Sequence, residues 1–345
     1  MDTSPLKNII NQLLQMPKGL LAADESTKTI QKRFEKVGLE SNPDVNLAYR
    51  KMLFTTPGAE EFLSGIILFD ETIRQAIDGI AIPEYLANKG IIPGIKVDKG
   101  AIAMPNSPDE KITEGLDGLE ERLDEYKQMG AKFTKWRSVI KIGDGIPTDN
   151  CLKENGEILA KYAKLVQEMG MVPIIEPEVI RDGTYDLEKC KEVTSKMLKA
   201  VFEMIKEHKV VLEGLILKPN MVTCGEDNQN QATPEDVAKA TIDALLESVP
   251  KEVPGIVFLS GGQAPDMATE NLNAICKLGG PWILSFSFAR ALQSEALEIW
   301  LGKEENIEAA QKAFYERGKK VSRARSARAF SVALRGARRA RQGKL

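Results

Sequence analysis

The sequence contains one histidine, His208, among its 345 residues. Metal sites built from several histidines are therefore excluded, and serine–histidine or cysteine–histidine catalysis is not expected. The four cysteines (Cys151, Cys190, Cys224 and Cys276) show no CxxC spacing, so neither a thiolate zinc site nor a disulfide framework is expected. Any chemistry must therefore use lysine, carboxylates, tyrosine or backbone groups.

Long apolar runs are also missing. No run approaches the roughly 18 residues of a membrane span, and residues 1–5 (MDTSP) lack the features of a secretory signal. Scattered cysteines are typical of a reducing compartment. We expect a cytoplasmic protein with no cofactor, no metal and no membrane association.

Short apolar runs alternate with amphipathic helical patterns along the chain. Eight runs are typical of strands, at residues 19–24, 63–70, 91–98, 131–142, 172–179, 210–218, 255–260 and 282–288. The helical patterns between them include residues 112–129, 151–169, 187–208 and 234–246. The last of these is preceded by Thr233 as an N-cap, with Pro234 in its first turn.

Eight strands alternating with helices predict an α/β fold, the TIM (β/α)₈ barrel. A doubly wound open sheet is the alternative, but no Gly-x-Gly-x-x-Gly follows the first strand. We predict one barrel domain over residues 1–315, with extra N- and C-terminal helices. A basic C-terminal helix or tail is predicted over residues 316–345.

Polar side chains stand at the ends of most predicted strands, where TIM barrels carry their active sites. In strand order they are Asp24, Lys96 and Asp98, Lys135 and Arg137, Glu176 and Glu178, Lys218, Ser260, and Arg290. Residues two apart share one side of a strand, so Lys135 and Arg137 face together while Trp136 faces away. Lys135, Glu176, Lys218 and Ser260 follow one another at successive steps of 41, 42 and 42 residues, about one strand–helix unit each. Such a ring indicates an active site rather than a set of structural ion pairs.

Lys218 ends an apolar run and is followed at once by Pro219. A buried lysine is either held in an ion pair or kept neutral as a nucleophile, and for an isolated lysine the ion pair is the usual case. The polar groups at the other strand ends favour the nucleophile, because an amine beside carboxylates can form an imine with a ketone. Glu176 could then move protons during imine formation, and Asp24 could remove a hydroxyl proton during carbon–carbon cleavage.

The cations at the strand ends suit an anionic substrate. Lys96, Lys135, Arg137 and Arg290 would make the cavity strongly cationic. After strand seven, residues 260–262 (SGG) supply backbone amides where barrels often bind phosphate. Arg290 would add a planar donor to the same phosphate.

Seven motifs, in order, resemble those of class I fructose-1,6-bisphosphate aldolases. They are LAADEST (21–27), GIKVDKG (94–100), KWR (135–137), IEPE (175–178), LKPNMVT (217–223), LSGGQ (259–263) and FSFARAL (286–292). Each motif alone is weak, but the ordered set over about residues 7 to 315 is specific. The resemblance implies a metal-independent lyase of glycolysis and gluconeogenesis that reversibly cleaves fructose 1,6-bisphosphate to dihydroxyacetone phosphate and glyceraldehyde 3-phosphate. It also implies a homo-oligomer, a tetramer in many family members.

The resemblance assigns roles to the catalytic candidates. It implies the Schiff-base lysine at Lys218, an acid/base group at Glu176, charge and proton handling at Lys135, and action in cleavage at Asp24. It implies substrate-phosphate contacts at Ser260, Gly261 and Arg290 for one end of the substrate and at Ser26, Arg33 and Lys96 toward the other. We include Arg137 among the substrate-binding candidates.

Three regions of the chain depart from the family pattern. Lys28 and Thr29 stand where many members have Gly-Ser, and Phe288 and Ala289 stand where animal members have Tyr-Gly. Alanine would restrict any conformation that needs a positive φ. Many members also end in a segment with a C-terminal tyrosine that assists proton exchange, whereas the last tyrosine here is Tyr315.

The C-terminal segment is unusually basic. From Arg317 onward there are eleven Lys or Arg residues and no Asp or Glu, which leaves −14 on the rest of a chain whose net charge is −3. The segment could bind nucleic acid or an anionic membrane, or reach the phosphorylated substrate. A solvated basic helix against the acidic body, or a partly disordered end, is the preferred interpretation. Without base-reading or stacking motifs, nucleic acid is not an expected partner.

Two alternatives to the fructose-bisphosphate activity stay open from sequence. The first keeps the imine chemistry but uses sedoheptulose 1,7-bisphosphate or another phosphoketose. The second is a scaffold or binding protein that uses its basic tail, although Asp24, Lys135, Glu176 and Lys218 are all present, which argues against lost catalysis.

Overall fold

A closed barrel of eight parallel strands forms the centre of the chain in this computed structural model, which describes residues 3–327. The barrel strands are β1 (Gly19–Ala23), β2 (Leu63–Leu68), β3 (Ile92–Lys96), β4 (Phe133–Ile140), β5 (Val172–Val179), β6 (Ile216–Leu217), β7 (Gly255–Phe258) and β8 (Ile283–Phe288). Each strand pairs in parallel with the next, and β8 pairs with β1. The predicted TIM barrel is confirmed.

Helices cover the outside of the barrel and its N-terminal end. They are α1 (Ser4–Leu13), α2 (Thr27–Phe34), α3 (Pro43–Phe54), α4 (Asp70–Ile73), α5 (Ile82–Asn88), α6 (Leu119–Gln128), α7 (Asp149–Glu168), α8 (Leu187–Glu207), α9 (Pro234–Ser248), α10 (Pro265–Leu278), α11 (Arg290–Trp300) and α12 (Ile307–Arg325). Single 3₁₀ turns lie at Glu35–Val37, Ala59–Glu61, Leu212–Gly214 and Glu304–Asn306. Two antiparallel hairpins lie outside the barrel, Ala76–Ile77 with Ile80–Ala81, and Gly100–Met104 with Ser107–Glu114. Within residues 3–327, no helix is long and apolar enough to cross a membrane.

Polar side chains begin several of these helices. Asn42 accepts hydrogen bonds from the backbone of Asp44 and Val45 at the start of α3, at 3.1 and 2.9 Å. Thr233 accepts one from Asp236 N at 3.2 Å at the start of α9. Such caps satisfy backbone donors that have no partner inside the helix. The predicted Thr233 cap is confirmed.

Two sequence predictions differ from the structure. The helix predicted over residues 112–129 begins only at Leu119, because residues 107–114 form a hairpin strand. Gly115 and Gly118 follow that strand with φ of +128° and +64°, which separates it from the helix. The sixth strand, predicted over residues 210–218, contains only Ile216–Leu217, since the residues before it form a 3₁₀ turn.

At its N-terminal end, the inside of the barrel is filled by a layer of apolar side chains. Leu20 and Ala22 of β1 lie in it with Phe133, Ile174 and Ile216 of other strands, and α1 packs against it. Because side chains two apart share a face, the next inward positions are Asp24, Lys135, Glu176 and Lys218. The functional candidates therefore stand directly on the apolar layer.

A glycine on β3 makes room for this layer. A Cβ atom at Gly94 would overlap the ring of Phe133, which is fully buried. The glycine lets an aromatic ring fill the barrel at that level, and Lys96 follows two residues later on the same side.

The basic C-terminal segment begins inside α12. Arg317 pairs with Asp266 at 2.8 Å and also with Glu295, and Lys319 pairs with Glu61 at 2.8 Å. Arg325 is buried and donates to backbone carbonyls, among them Leu284 O at 3.0 Å. These contacts hold the last turns of α12 against the barrel. The division at residue 316 stays a prediction, and residues 328–345 of the predicted tail lie outside the described residues.

Candidate active site

A cavity of about 470 Å³ opens at the C-terminal ends of the barrel strands. Its volume is in the range of small-molecule sites. All eleven catalytic and substrate-binding candidates from the sequence line it: Asp24, Ser26, Arg33, Lys96, Lys135, Arg137, Glu176, Lys218, Ser260, Gly261 and Arg290. Their roles stay predictions, but the structure brings them to one place. Of the two other polar strand-end residues, Glu178 lines the cavity and Asp98 does not.

Four buried charges form a continuous chain at the floor of the cavity. Lys135 Nζ lies 2.6 Å from Asp24 Oδ2 and 2.9 Å from Glu176 Oε2. The other oxygen of Glu176 lies 3.0 Å from Lys218 Nζ. The side chains of Lys135, Glu176 and Lys218 are at most 5% exposed. Two amines therefore share one carboxylate out of contact with bulk solvent.

These contacts set the protonation of the four-residue chain. Burial alone would raise the pKa of Asp24, but the charges of Lys135 and Lys218 outweigh it and hold that pKa well below its usual range. The same balance, with Lys135, Lys218 and Arg137 as the cations, lowers the pKa of Glu176. Burial would lower the pKa of Lys135, but Asp24 and Glu176 raise it above its ordinary value. At neutral pH both carboxylates are ionised and Lys135 is an ammonium ion.

Two further ion pairs stand nearer the mouth of the cavity. Lys96 Nζ contacts Asp98 Oδ1 at 2.5 Å, and Arg137 Nε donates to Glu178 Oε2 at 2.6 Å. Asp98 also accepts from the backbone of Arg137 at 3.2 Å, so it joins the ends of β3 and β4. Trp136, between Lys135 and Arg137, is fully buried on the outer side of the strand, as the alternation predicts.

Glycines and an arginine form the loop side of the cavity. Gly261 and Gly262 have φ of +53° and +80°, a conformation that favours glycine. A Cβ atom on Gly262 would stand 3.2 Å from a terminal nitrogen of Arg290. Burial and the neighbouring charge of Arg33 lower the pKa of Arg290. A concentrated positive potential of this kind suits a phosphate group.

The positions that depart from the family pattern fit this geometry. Ala289 has φ −104°, so no positive φ is required of it. Thr29 lines the cavity with its hydroxyl 3.1 Å from Ser26 Oγ, while Lys28 is exposed and lies outside the lining. A threonine therefore keeps a hydroxyl beside Ser26.

Sequence reasoning missed several residues of the cavity wall. Lys32 and Lys36 add two exposed cations at its mouth, and Glu25 and Ser287 are buried within it. Glu25 follows Asp24 in the quoted motif, and Ser287 lies in the FSFARAL motif, so position in a motif was the available signal. The two lysines carried no signal beyond their helical spacing of four residues.

The cavity has an excess of positive charge. Eight Lys or Arg side chains line it against four Asp or Glu side chains, an excess of four positive charges. No group of three or more His, Cys, Asp or Glu side chains within residues 3–327 is arranged to hold a metal ion. Independence from metal stays a prediction of the sequence.

Comparison with known proteins identifies the family of the chain. The chain matches the family model described as "Glycolytic: Fructose-bisphosphate aldolase class-I" over residues 5–342. The chain belongs to the class I fructose-bisphosphate aldolase family. "Probable fructose-bisphosphate aldolase class 1" of Xanthomonas campestris pv. campestris is 49% identical over 322 residues, 92% of this chain and 96% of that protein. "Fructose-bisphosphate aldolase 4, cytosolic" of Arabidopsis thaliana is 50% identical over 310 residues, 89% of this chain and 79% of that protein.

A solved structure of this aldolase family has the same fold. Fructose-bisphosphate aldolase from Plasmodium falciparum, in complex with TRAP and a small-molecule inhibitor, superimposes with a TM-score of 0.92. The two chains are 45% identical, and the match covers 94% of this chain and 95% of that one. The resemblance carried by the seven sequence motifs is confirmed at the level of the family.

Proposed function

We propose that the protein reversibly cleaves fructose 1,6-bisphosphate to dihydroxyacetone phosphate and glyceraldehyde 3-phosphate through a Schiff base at Lys218. The observation that carries the proposal is the shared carboxylate, with Glu176 between the amines of Lys218 and Lys135 at 3.0 and 2.9 Å. A buried amine beside an acid/base group is the arrangement that imine formation needs.

The geometry favours Lys218 over Lys135 as the nucleophile. Lys135 contacts two carboxylates, Asp24 and Glu176, and both stabilise its positive charge. Lys218 contacts only Glu176 among these carboxylates, and it shares that group with Lys135. Lys135 therefore stays an ammonium ion, held by two carboxylates where Lys218 contacts one. Lys218 is the amine that gives up a proton and attacks.

Glu176 transfers the protons that imine formation requires. Starting from the ammonium form, Glu176 takes one proton from Lys218, whose nitrogen adds to the ketone carbon of the open-chain sugar. Two of the three ammonium protons leave with the carbonyl oxygen as water, and the third stays on the iminium nitrogen. Glu176, 3.0 Å from the nitrogen, is the group placed to carry protons from nitrogen to oxygen.

Cleavage uses the other end of the charge chain. Asp24, ionised at neutral pH, removes the proton of the hydroxyl on the fourth carbon. The electron pair of the bond between the third and fourth carbons moves into the iminium, which forms an enamine and releases glyceraldehyde 3-phosphate. Protonation of the third carbon regenerates the iminium and balances the proton that Asp24 removed, so Asp24 returns to its ionised form. Water then releases dihydroxyacetone phosphate and restores Lys218. Lys135, 2.6 Å from Asp24, stabilises the carboxylate between turnovers.

The charge of the cavity matches a bisphosphate. Each phosphate monoester carries about −1.5 to −2 near neutral pH, so two carry roughly the four negative charges that offset the lining. Ser260, Gly261 and Arg290 would bind the phosphate at one end, and Ser26, Arg33, Lys96 and Arg137 the phosphate at the other. The matched family and relatives carry the fructose-bisphosphate name, which favours this substrate over sedoheptulose 1,7-bisphosphate.

We also propose that the enzyme is a cytoplasmic homo-oligomer. Relatives from Arabidopsis thaliana are named as cytosolic, which supports the location. The tetrameric state follows the family resemblance, and light scattering on the purified protein would measure it.

The activity of a variant that lacks the Lys218 amine tests the proposal. Lys218→Met should abolish the formation of triose phosphate in a coupled assay, because no imine can form. Lys161→Met is the matched control, since Lys161 pairs with Glu157 on the outer surface of α7 and should keep the wild-type rate. A Lys218→Met protein that cleaves the substrate at the wild-type rate would exclude the Schiff-base route.

A further inference from the structure

A buried carboxylate behind the cavity holds two arginines at once. Glu25 binds Arg33 through Oε1 and Arg50 through Oε2. The side chains of Glu25 and Arg50 are each 2% exposed, whereas Arg33 is 16% exposed. Glu25 and Arg33 line the cavity, and Arg50, on α3, does not. The three residues therefore form a row from the helix layer to the cavity, with Arg33 at the open end.

The charges in this row do not cancel. Guanidinium groups stay charged in proteins, so one carboxylate faces two cations. The pKa of Glu25 is lowered because Arg33 and Arg50 together outweigh the effect of its burial. The three side chains together carry one net positive charge, and Arg33 is the one of the two arginines that is exposed to the cavity. A carboxylate with Arg33 as its single partner would instead neutralise that charge.

A second acceptor aligns the same guanidinium. Arg33 Nη1 donates to Gln293 Oε1 at 3.3 Å, and the Tyr49 hydroxyl donates to the same oxygen at 3.0 Å. Gln293 is itself held by its donation to Ala22 O at 2.7 Å. Within residues 3–327, the remaining nitrogens of Arg33 donate to no protein acceptor. One edge of the guanidinium is fixed by buried groups, and the other is available to a ligand.

Arg50 is buried in the protein interior, where it pairs with Glu25. Its Nε and Nη1 have no hydrogen-bond partner within the described residues, and a space of about 10 Å³ adjoins Arg50, Glu71 and Thr72. That volume is at the lower limit for one water molecule. The side chain does not line the cavity, and its ion pair with Glu25 is its most direct link to Arg33; its guanidinium also lies 5.6 Å from the centre of the Tyr49 ring.

We propose that Arg50 is a positioning residue that, through Glu25, keeps the outer donors of Arg33 available to a substrate phosphate. The inference rests on the proposed function for the identity of that substrate. By occupying Oε2 of Glu25, Arg50 prevents a two-point pairing between Glu25 and Arg33 that would turn Arg33 away from the cavity.

Kinetics of Arg50→Met test the proposal. We expect KM for fructose 1,6-bisphosphate to rise about tenfold, as for the loss of one charge-assisted hydrogen bond, with kcat within about twofold of wild type. Arg50→Lys keeps a charge near Glu25 and should restore most of the affinity. Arg325→Met is the matched control, because Arg325 is equally buried but binds backbone carbonyls away from the cavity. It should lower stability and leave KM unchanged.

A double-mutant cycle decides whether Arg50 acts through Arg33. In an Arg33→Met background, Arg50→Met should change KM by less than about twofold, since the group it positions is gone. Independent tenfold effects that multiply would overturn the proposal, as would an Arg50→Met protein whose KM is unchanged.

Binding of inorganic phosphate separates this inference from the proposed function. Calorimetry on the full-length protein does not depend on imine chemistry, and Arg50→Met should weaken phosphate binding about tenfold. If wild-type protein fails to cleave the substrate but this weakening appears, only the proposed function fails. If the wild type cleaves the substrate but Arg50→Met binds phosphate as tightly as the wild type, the role of Arg50 is overturned and the proposed function stands.

Discussion

Replacing Lys135 by methionine should change the pH dependence of the enzyme more than any other single substitution in the cavity. Within residues 3–327, Lys135 is the one cation that contacts both Asp24, at 2.6 Å, and Glu176, at 2.9 Å. Methionine keeps most of the volume but removes the charge, so two buried carboxylates lose their shared partner.

The magnitude follows from the cost of an unpaired buried charge. Removing one partner of a buried ion pair costs about 3 to 5 kcal/mol. At about 1.4 kcal/mol per pH unit and shared between two carboxylates, this raises each pKa by roughly one to two units. The acid limb of kcat/KM should therefore move up by about one to two pH units, because Asp24 must be ionised. At neutral pH, kcat should fall by roughly 10²- to 10⁴-fold as proton transfer is lost.

The free energy of unfolding should depend less on acid pH in Lys135→Met than in the wild type. In the wild type, the low pKa of Asp24 adds stability above its unfolded value of about 4, and this is lost only in strong acid. In Lys135→Met, the pKa values of Asp24 and Glu176 should lie about one to two units closer to their unfolded values, so these groups contribute less stability at neutral pH. The variant should therefore be less stable than the wild type at neutral pH, and the difference should narrow as pH falls below about 4.

Steady-state kinetics and denaturant unfolding across this pH range measure both effects. Lys96→Met is the control, since Lys96 pairs with Asp98 near the mouth and not with Asp24 or Glu176. It should raise KM and leave the acid limb nearly in place. An unchanged acid limb in Lys135→Met, with kcat within threefold of wild type, would refute the account of the charge chain.

Three further predictions concern the loop, a helix cap and metal. Gly262→Ala should raise KM about tenfold with kcat unchanged, because Gly262 has a φ of +80° and the added Cβ would contact Arg290. Gly145→Ala is the control: Gly145 has a similar φ of +67°, its Cβ would stand in open space, and KM should stay unchanged. An equal KM in both variants would contradict this assignment. Thr233→Ala should lower the free energy of unfolding by about 1 kcal/mol in a denaturant titration without affecting activity, and an unchanged value would argue against the cap. Activity should survive prolonged treatment with a chelator, and a loss that added Zn²⁺ or Mg²⁺ reverses would contradict metal independence.

Much of the barrel and its cavity could be predicted from local pattern. The period of two along a strand places Lys135 inward and Trp136 outward, and the structure has both. A regular spacing of strand–helix units places Glu176 and Lys218 at one height in a closed barrel. Both features follow from patterns within one strand or one repeating strand–helix unit.

Features that depend on distant positions could not be predicted in this way. Glu25 and Arg50 lie on different elements, and nothing local indicates that they meet. Residues 112–114, the end of the hairpin strand Ser107–Glu114, were predicted as helix because Ile112, Leu116 and Leu119 follow a helical spacing. Their true conformation depends on pairing with Gly100–Met104, which periodicity alone does not reveal.

Trapping of the imine tests the central claim most directly. The protein is reduced with borohydride in the presence of dihydroxyacetone phosphate, digested, and mapped by mass spectrometry. We predict one stable adduct, on Lys218, that does not form without the ketone and does not form in Lys218→Met. No adduct on wild-type protein, or an adduct on Lys135 with Lys218 unmodified, would contradict the account.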